Sequence, residues 1–187
     1  MPAPSTESLP FRSELSSGLP PEEEILCRRK TLVKQTWRSV EFGLGEEATK
    51  CFYNRLFTKF PNVEPLFANT SIEIQSRKLY GVVRLAVRSL DDLDGLLPTI
   101  QELGRRHGQA YGVIPEYYGA VTQTFIEILH EYICSQWTNM ECSRYIVDVA
   151  DAWAWCLNLI GGIMADAAEK SAKETKRLVS NSVHNNS

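Results

Sequence analysis

Residues 100–107 read Ile-Gln-Glu-Leu-Gly-Arg-Arg-His. On a helix, Ile100, Leu103 and His107 share one face. The stripe is apolar until its last member, and His107 is one of only three histidines in 187 residues. By itself, a helical histidine on an apolar face is more often a hydrogen-bonded core or boundary residue than a ligand. Neutral imidazole is also the commonest protein ligand for a transition metal. The rest of the chain decides between the two.

Downstream, Gly108 and Gly112 predict a turn that ends this helix at His107. Pro115 then opens a helix, where its missing donor is harmless, and Tyr118, Val121, Phe125, Leu129 and Tyr132 repeat along it. A loop near 135–142 leads to a last helix carrying Val149, Trp153, Leu157, Ile160 and Met164. Upstream, Asp91–Gly95 breaks an amphipathic helix over 72–90, on which Ile72, Gln75, Leu79, Val82 or Val83, Ala86 and Leu90 share a face. Before that, Pro61 and Pro65 end a helix over 46–60 and force a corner holding Leu66 and Phe67, because proline disfavours helix at the residue before it. The acids Glu22, Glu23 and Glu24 suit the start of a first helix, along which Leu26, Leu32 or Val33, Trp37 and Val40 recur. No alternating strand pattern and no internal repeat occurs. The pattern predicts one all-α domain of six to eight helices over 22–170. Residues 1–21 and 171–187 are poor in large apolar side chains and read as disordered extensions.

Composition narrows the function classes. A net charge of −3, with 43% apolar and 23% charged residues, carries no electrostatic signature of a nucleic-acid binder. No run approaches the length of apolar sequence that a membrane-spanning helix needs. The N-terminus lacks the basic start and apolar core of a secretory signal, and Pro2 removes N-myristoylation. The five cysteines are scattered without a CxxC spacing and read as thiols in a reducing cytoplasm. A Cys134–Cys142 disulfide stays open at this stage.

Four stretches carry a family resemblance: CFYNRLFTKFPNVEPLF (51–67), QSRKLYGVV (75–83), LGRRH (103–107) and DAW (151–153). Over residues 22–170 the chain resembles a globin, with likenesses to flavohaemoglobin-type and neuroglobin-type members. The resemblance implies a globin fold packed around a haem b pocket. It makes His107 the proximal iron ligand and Phe67 the corner ring against the porphyrin, with Pro61 starting that corner. Gln75 takes the distal position, with Leu79 one turn on and Tyr53 reaching the same pocket. The 32 residues from Gln75 to His107 fit distal-to-proximal spacing. Val83, Leu103, Val113, Phe125 and Leu157 are candidates for the apolar walls that haem needs. Tyr118 matches a tyrosine that supports the proximal imidazole. The acid that partners it in flavohaemoglobins falls on Ala168, with Glu169 adjacent. Arg77, Arg105 and Arg106 are candidates for the haem propionates.

The distal side departs from neuroglobin, since no histidine occupies position 75. Tyr53 and Gln75 can both donate hydrogen bonds to dioxygen, each contributing about 1.5–3 kcal/mol. Slow release follows, and the expected role is reversible, high-affinity binding of O2, with NO and CO as further ligands. The alternatives are nitric oxide dioxygenation with an external reductase, since this length leaves no room for a flavin domain, and gas or redox sensing.

Overall fold

Pro61 and Pro65 turn the predicted corner into a 3-10 helix, Pro61–Phe67, between two helices that cannot continue through it. The structure, a computed structural model, describes residues 20–43, 45–136 and 141–184. Among the described residues there are six α-helices besides the corner: α1 Pro21–Gly43, α2 Gly45–Lys59, α3 Ile72–Arg88, α4 Leu93–Tyr111, α5 Pro115–Gln136 and α6 Glu141–His184. No strand occurs among the described residues. The fold is all-α, within the six to eight helices that the sequence predicts.

Local chemistry fixes the ends that matter. The Ser71 hydroxyl caps α3 by accepting from the Ile74 N–H. Asp92 caps α4, its carboxylate accepting from the Gly95 N–H at 3.0 Å. Gly95 therefore lies inside the first turn of α4 rather than in the break expected there. At the other end, α4 runs past His107 and Gly108 to Tyr111. The predicted turn is made by Gly112 alone, at φ 66°, a left-handed conformation that glycine adopts without strain. Gly108 serves packing instead. A Cβ there would lie 2.7 Å from the Ala168 Cβ, and one on Gly104 would lie 2.3 Å from the Met164 carbonyl oxygen. These two glycines, one turn apart, let α4 lie directly on α6.

α6 is the central helix. Its Val149, Ala152, Trp153 and Cys156 are buried with Leu32, Val33 and Trp37 of α1 and with Leu129 and Ile133 of α5. The Trp153 Nε1–H donates to Thr36 Oγ1 at 2.8 Å. Arg28–Asp148 and Arg29–Asp151 ion pairs flank the α1–α6 seam. The stretch 144–178 is long and apolar enough to cross a membrane. Of its most apolar window 33% is buried in the fold, and Val149, Ala152, Trp153 and Cys156 face the core.

α6 continues to His184, where disorder is expected from residue 171. Composition misleads at this point because Ala, Lys and Glu favour helix without needing a core. Lys173 pairs with Glu169, and buried Ser171 accepts a hydrogen bond from Gln109 of α4. The expected disorder of residues 1–19 and 185–187 lies outside the described residues. α3 and α4 meet only near their shared corner, through Ala86, Leu96 and Ile100. Each packs elsewhere along the rest of its length.

Candidate functional site

His107 stands one turn from the end of α4, half-buried. Its carbonyl accepts the Gly112 and Val113 N–H groups that close the helix. Its Nδ1 lies 2.8 Å from the Leu103 carbonyl oxygen. A carbonyl only accepts, so the proton sits on Nδ1 and Nε2 keeps its lone pair. Burial lowers the imidazole pKa below its usual 6.5, against a smaller opposing effect of the Leu103 hydrogen bond, so the ring is neutral at pH 7. Tyr111 meets the ring edge-on at 5.7 Å, and Tyr118 lies 6.4 Å away between centroids.

The Tyr118 hydroxyl is buried without a hydrogen-bond partner, and burial pushes its pKa up to about 12. Ala168, in the expected place of an acid, packs on Gly108. The neighbouring Glu169 pairs with Lys173 at the surface. No hydrogen bond therefore joins Tyr118 to the imidazole, whose Nδ1 partner is the Leu103 carbonyl. Arg105 and Arg106 both pair with Glu102, and Arg77 is exposed. The arginines thus have surface roles in this conformation.

The second group gathers at the 3-10 corner. Tyr53, 3% exposed, packs with Phe52, Leu56 and Val63, and against Phe57, Phe67, Leu79 and Phe125. The Tyr53 and Phe67 rings meet edge-on at 5.3 Å. The Tyr53 O–H donates to the Gln75 backbone carbonyl at 3.5 Å, the long limit for such a bond. Burial raises the Tyr53 pKa well above that of a free phenol, so the hydroxyl keeps its proton. Gln75 is half-buried on the same face of α3.

The remaining predicted wall residues divide. Leu79 and Phe125 bridge the corner cluster and the main core. Val83 and Leu157 belong to the main core with Trp37 and Trp153. Leu103 packs with Ile100 and Met164. Val113 and Tyr118 line a cavity of about 740 Å³ bounded by α4, α5 and α6, with no residue of α3 or the corner. Two residues escaped the sequence reading. Tyr117 packs in the corner cluster with Val121 and Phe125, and its four-residue spacing from Val121 is a signal that was available. Ser76 is buried with its hydroxyl unpaired, and no pattern in the sequence marks it.

This donor set fits haem. Among the described residues no three His, Cys, Asp or Glu side chains converge as a metal cage. The site offers one oriented neutral imidazole, enough only for a metal whose other ligands come with its cofactor. Half-buried apolar side chains on α3, α4 and α5, Leu79, Leu103 and Phe125 among them, offer apolar surface of the kind a porphyrin requires.

Residues 50–164 match the globin family model. The chain is 24% identical over 135 residues to a flavohemoprotein of Halalkalibacterium halodurans, a match covering 71% of this chain and 31% of that protein. It is 26% identical over 150 residues to a flavohemoprotein of Pseudomonas putida, covering 79% of this chain and 36% of the relative. It thus spans about a third of the length of these relatives. In fold it is similar to the hexacoordinated haem protein of an anhydrobiotic tardigrade, with a TM-score of 0.60 at 19% identity, over 76% of this chain and 94% of the other.

Proposed function

The chain belongs to the globin family, and on that premise we propose that it binds haem b through His107 and holds dioxygen reversibly, with high affinity, on the Tyr53–Gln75 side. Haem supplies an iron with one position open to O2, NO or CO. The observation that carries the reading is the His107 imidazole, tied through Nδ1 to the Leu103 carbonyl at 2.8 Å, with Nε2 left for the metal. In this reading Phe67, Leu79, Leu103 and Phe125 supply apolar surface that keeps water away from it. Tyr53 and Gln75 are the donors opposite. The Tyr53 hydroxyl is held only by the 3.5 Å contact to the Gln75 carbonyl, a weak bond to exchange for a more negative acceptor. Two such bonds, at about 1.5–3 kcal/mol each, slow gas release roughly 100-fold or more. Slow release suits retention of the gas, or chemistry on it, more than delivery. The free thiols of Cys27, Cys51, Cys134 and Cys156 support a cytoplasmic setting.

Visible spectra of the haem-loaded protein test this reading. A five-coordinate ferrous form that converts to a stable oxygenated form is the expected result. A six-coordinate ferrous spectrum without added ligand overturns the open position, and the absence of a Soret band overturns haem binding. The likeness to flavohemoproteins favours a second reading, conversion of nitric oxide to nitrate with electrons from a separate reductase. Turnover with excess nitric oxide and a reductant supports it; nitrate limited to one equivalent per prereduced protein counts against it.

A further inference from the structure

The aromatic side chains between the proposed pocket and the α1–α3 surface form a single file. Phe125 lies 4.8 Å from Trp153 between ring centroids, Trp153 lies 6.2 Å from Trp37, and Trp37 lies 5.5 Å from Tyr80. Trp153 and Trp37 are 0% and 6% exposed, whereas Tyr80 is only half-buried. Indoles and phenols are the protein's most readily oxidised rings, and here three of them stand in succession.

Proton acceptors are distributed unevenly along the file. The Trp37 Nε1–H has no partner. The Trp153 Nε1–H donates to Thr36 Oγ1 at 2.8 Å, a hydroxyl that itself donates to the Leu32 carbonyl and is no base. An indole that loses an electron here keeps its proton, and it becomes a buried cation at a large cost in free energy. Tyr80 differs. Its O–H donates to the Glu41 carboxylate at 2.9 Å, and Arg84 Nε lies 3.2 Å from the same oxygen. Tyr80 has a base at hand and ends neutral when it is oxidised. Burial, reinforced by Glu41, holds its hydroxyl above the usual pKa, so it starts as the phenol at pH 7.

We propose that Phe125, Trp153, Trp37 and Tyr80 form a one-electron path that carries oxidising equivalents from the haem side to Tyr80, with Glu41 as proton acceptor. The path rests on the haem reading above. The oxidant is hydrogen peroxide, which becomes two molecules of water by taking two electrons from the protein and its cofactor and two protons from solvent. One electron is drawn from the iron and the other from the file: Trp153 is refilled by Trp37, and Trp37 by Tyr80. The Tyr80 O–H bond breaks and its proton passes to Glu41, leaving a phenoxyl radical beside a carboxylic acid. A small one-electron donor at the surface, such as ascorbate, restores Tyr80 as the proton returns from Glu41, and a second equivalent of the same donor replaces the electron drawn from the iron. Phe125 bridges the gap without being oxidised. Tyr118, close to His107, lacks a proton acceptor. Exposed Tyr111 is the competing sink.

The test treats ferric, haem-loaded protein with stoichiometric hydrogen peroxide and a spin trap, after the Soret band has been verified. Peptide mass mapping then locates the adduct, and freeze-quench electron paramagnetic resonance identifies the radical. The expected wild-type result is a tyrosyl signal with the adduct on Tyr80, both lost in Tyr80→Phe. Trp37→Phe and Trp153→Phe leave Tyr80 intact yet lose its adduct, with helical circular dichroism and Soret band retained. Glu41→Gln moves the radical back to an indole. A Tyr80 adduct undiminished in both tryptophan variants overturns the path, as does a wild-type adduct confined to Tyr111. No Soret band overturns the haem reading and the path together; a Soret band without a Tyr80 adduct overturns the path alone.

Discussion

At the scale of single residues, function is set by where protons sit. His107 presents a bare Nε2 because the Leu103 carbonyl takes the proton of Nδ1. Tyr53 keeps its proton because it is buried, and so remains a donor. Tyr53→Phe and Gln75→Leu are each expected to speed oxygen release by roughly 10-fold to 100-fold, for a bond of about 1.5–3 kcal/mol. Stopped-flow replacement of O2 by CO measures this, and unchanged rates in both variants remove Tyr53 and Gln75 as donors. The cysteines divide on the same grounds. Cys27, Cys51 and Cys134 are exposed, whereas burial pushes the Cys156 thiol up to about 12. The thiolate is the nucleophile, so a thiol with a raised pKa stays protonated and inert at pH 8. Alkylation of the native protein at that pH is expected to label the first three and spare Cys156, as read by peptide mass. Labelling of Cys156 at a rate comparable to the others contradicts its burial. Of the Cys134–Cys142 pair left open by the sequence, Cys134 carries a free thiol and the Cys142 side chain lies outside the described residues.

Among the elements, the α4–α6 contact positions the imidazole. It depends on Gly104 and Gly108, each occupying space that a Cβ would take from α6. Gly104→Ala meets the Met164 backbone, which cannot rotate aside as a side chain can, and is expected to destabilise by about 1–3 kcal/mol or more. Gly162→Ala is the control, because its Cβ meets nothing within 4 Å. Removing glycine's excess freedom in mid-helix there is expected to stabilise by about 0.5–1 kcal/mol. Thermal unfolding compares the two. A melting temperature unaffected by Gly104→Ala means that the two helices do not lie this close. The same glycines explain why the end of α4 was misread. In sequence Gly108 looks like a helix stop, and only the presence of Ala168 opposite it shows that it is a packing residue.

For the whole molecule, α6 is both the core helix and a strut beyond it. Ser171 holds Gln109, two residues after His107, so the far end of α6 braces the turn that carries the imidazole. A chain ending at Lys170 is expected to lose hydrogen-exchange protection over 107–111; protection equal to that of the full chain shows that the extension is independent of the site. The sequence by itself determined the all-α class, most of the helices and the proline corner, and it nominated His107 as the candidate ligand with Phe67, Gln75, Leu79 and Tyr53 as candidate counterparts. Periodicity, proline stereochemistry and residue chemistry are local properties written in the order of the chain. Tertiary structure decided what depends on a partner distant in sequence. It put Gly104 and Gly108 under α6, carried α6 on to His184, and sent Val83 and Leu157 to the main core. It left Tyr118 without an acid and lined up Trp153, Trp37 and Tyr80 from three different helices. A hydrogen bond, a close packing contact or a file of rings exists only between atoms that folding brings together, and spacing along one helix cannot specify what lies across from it.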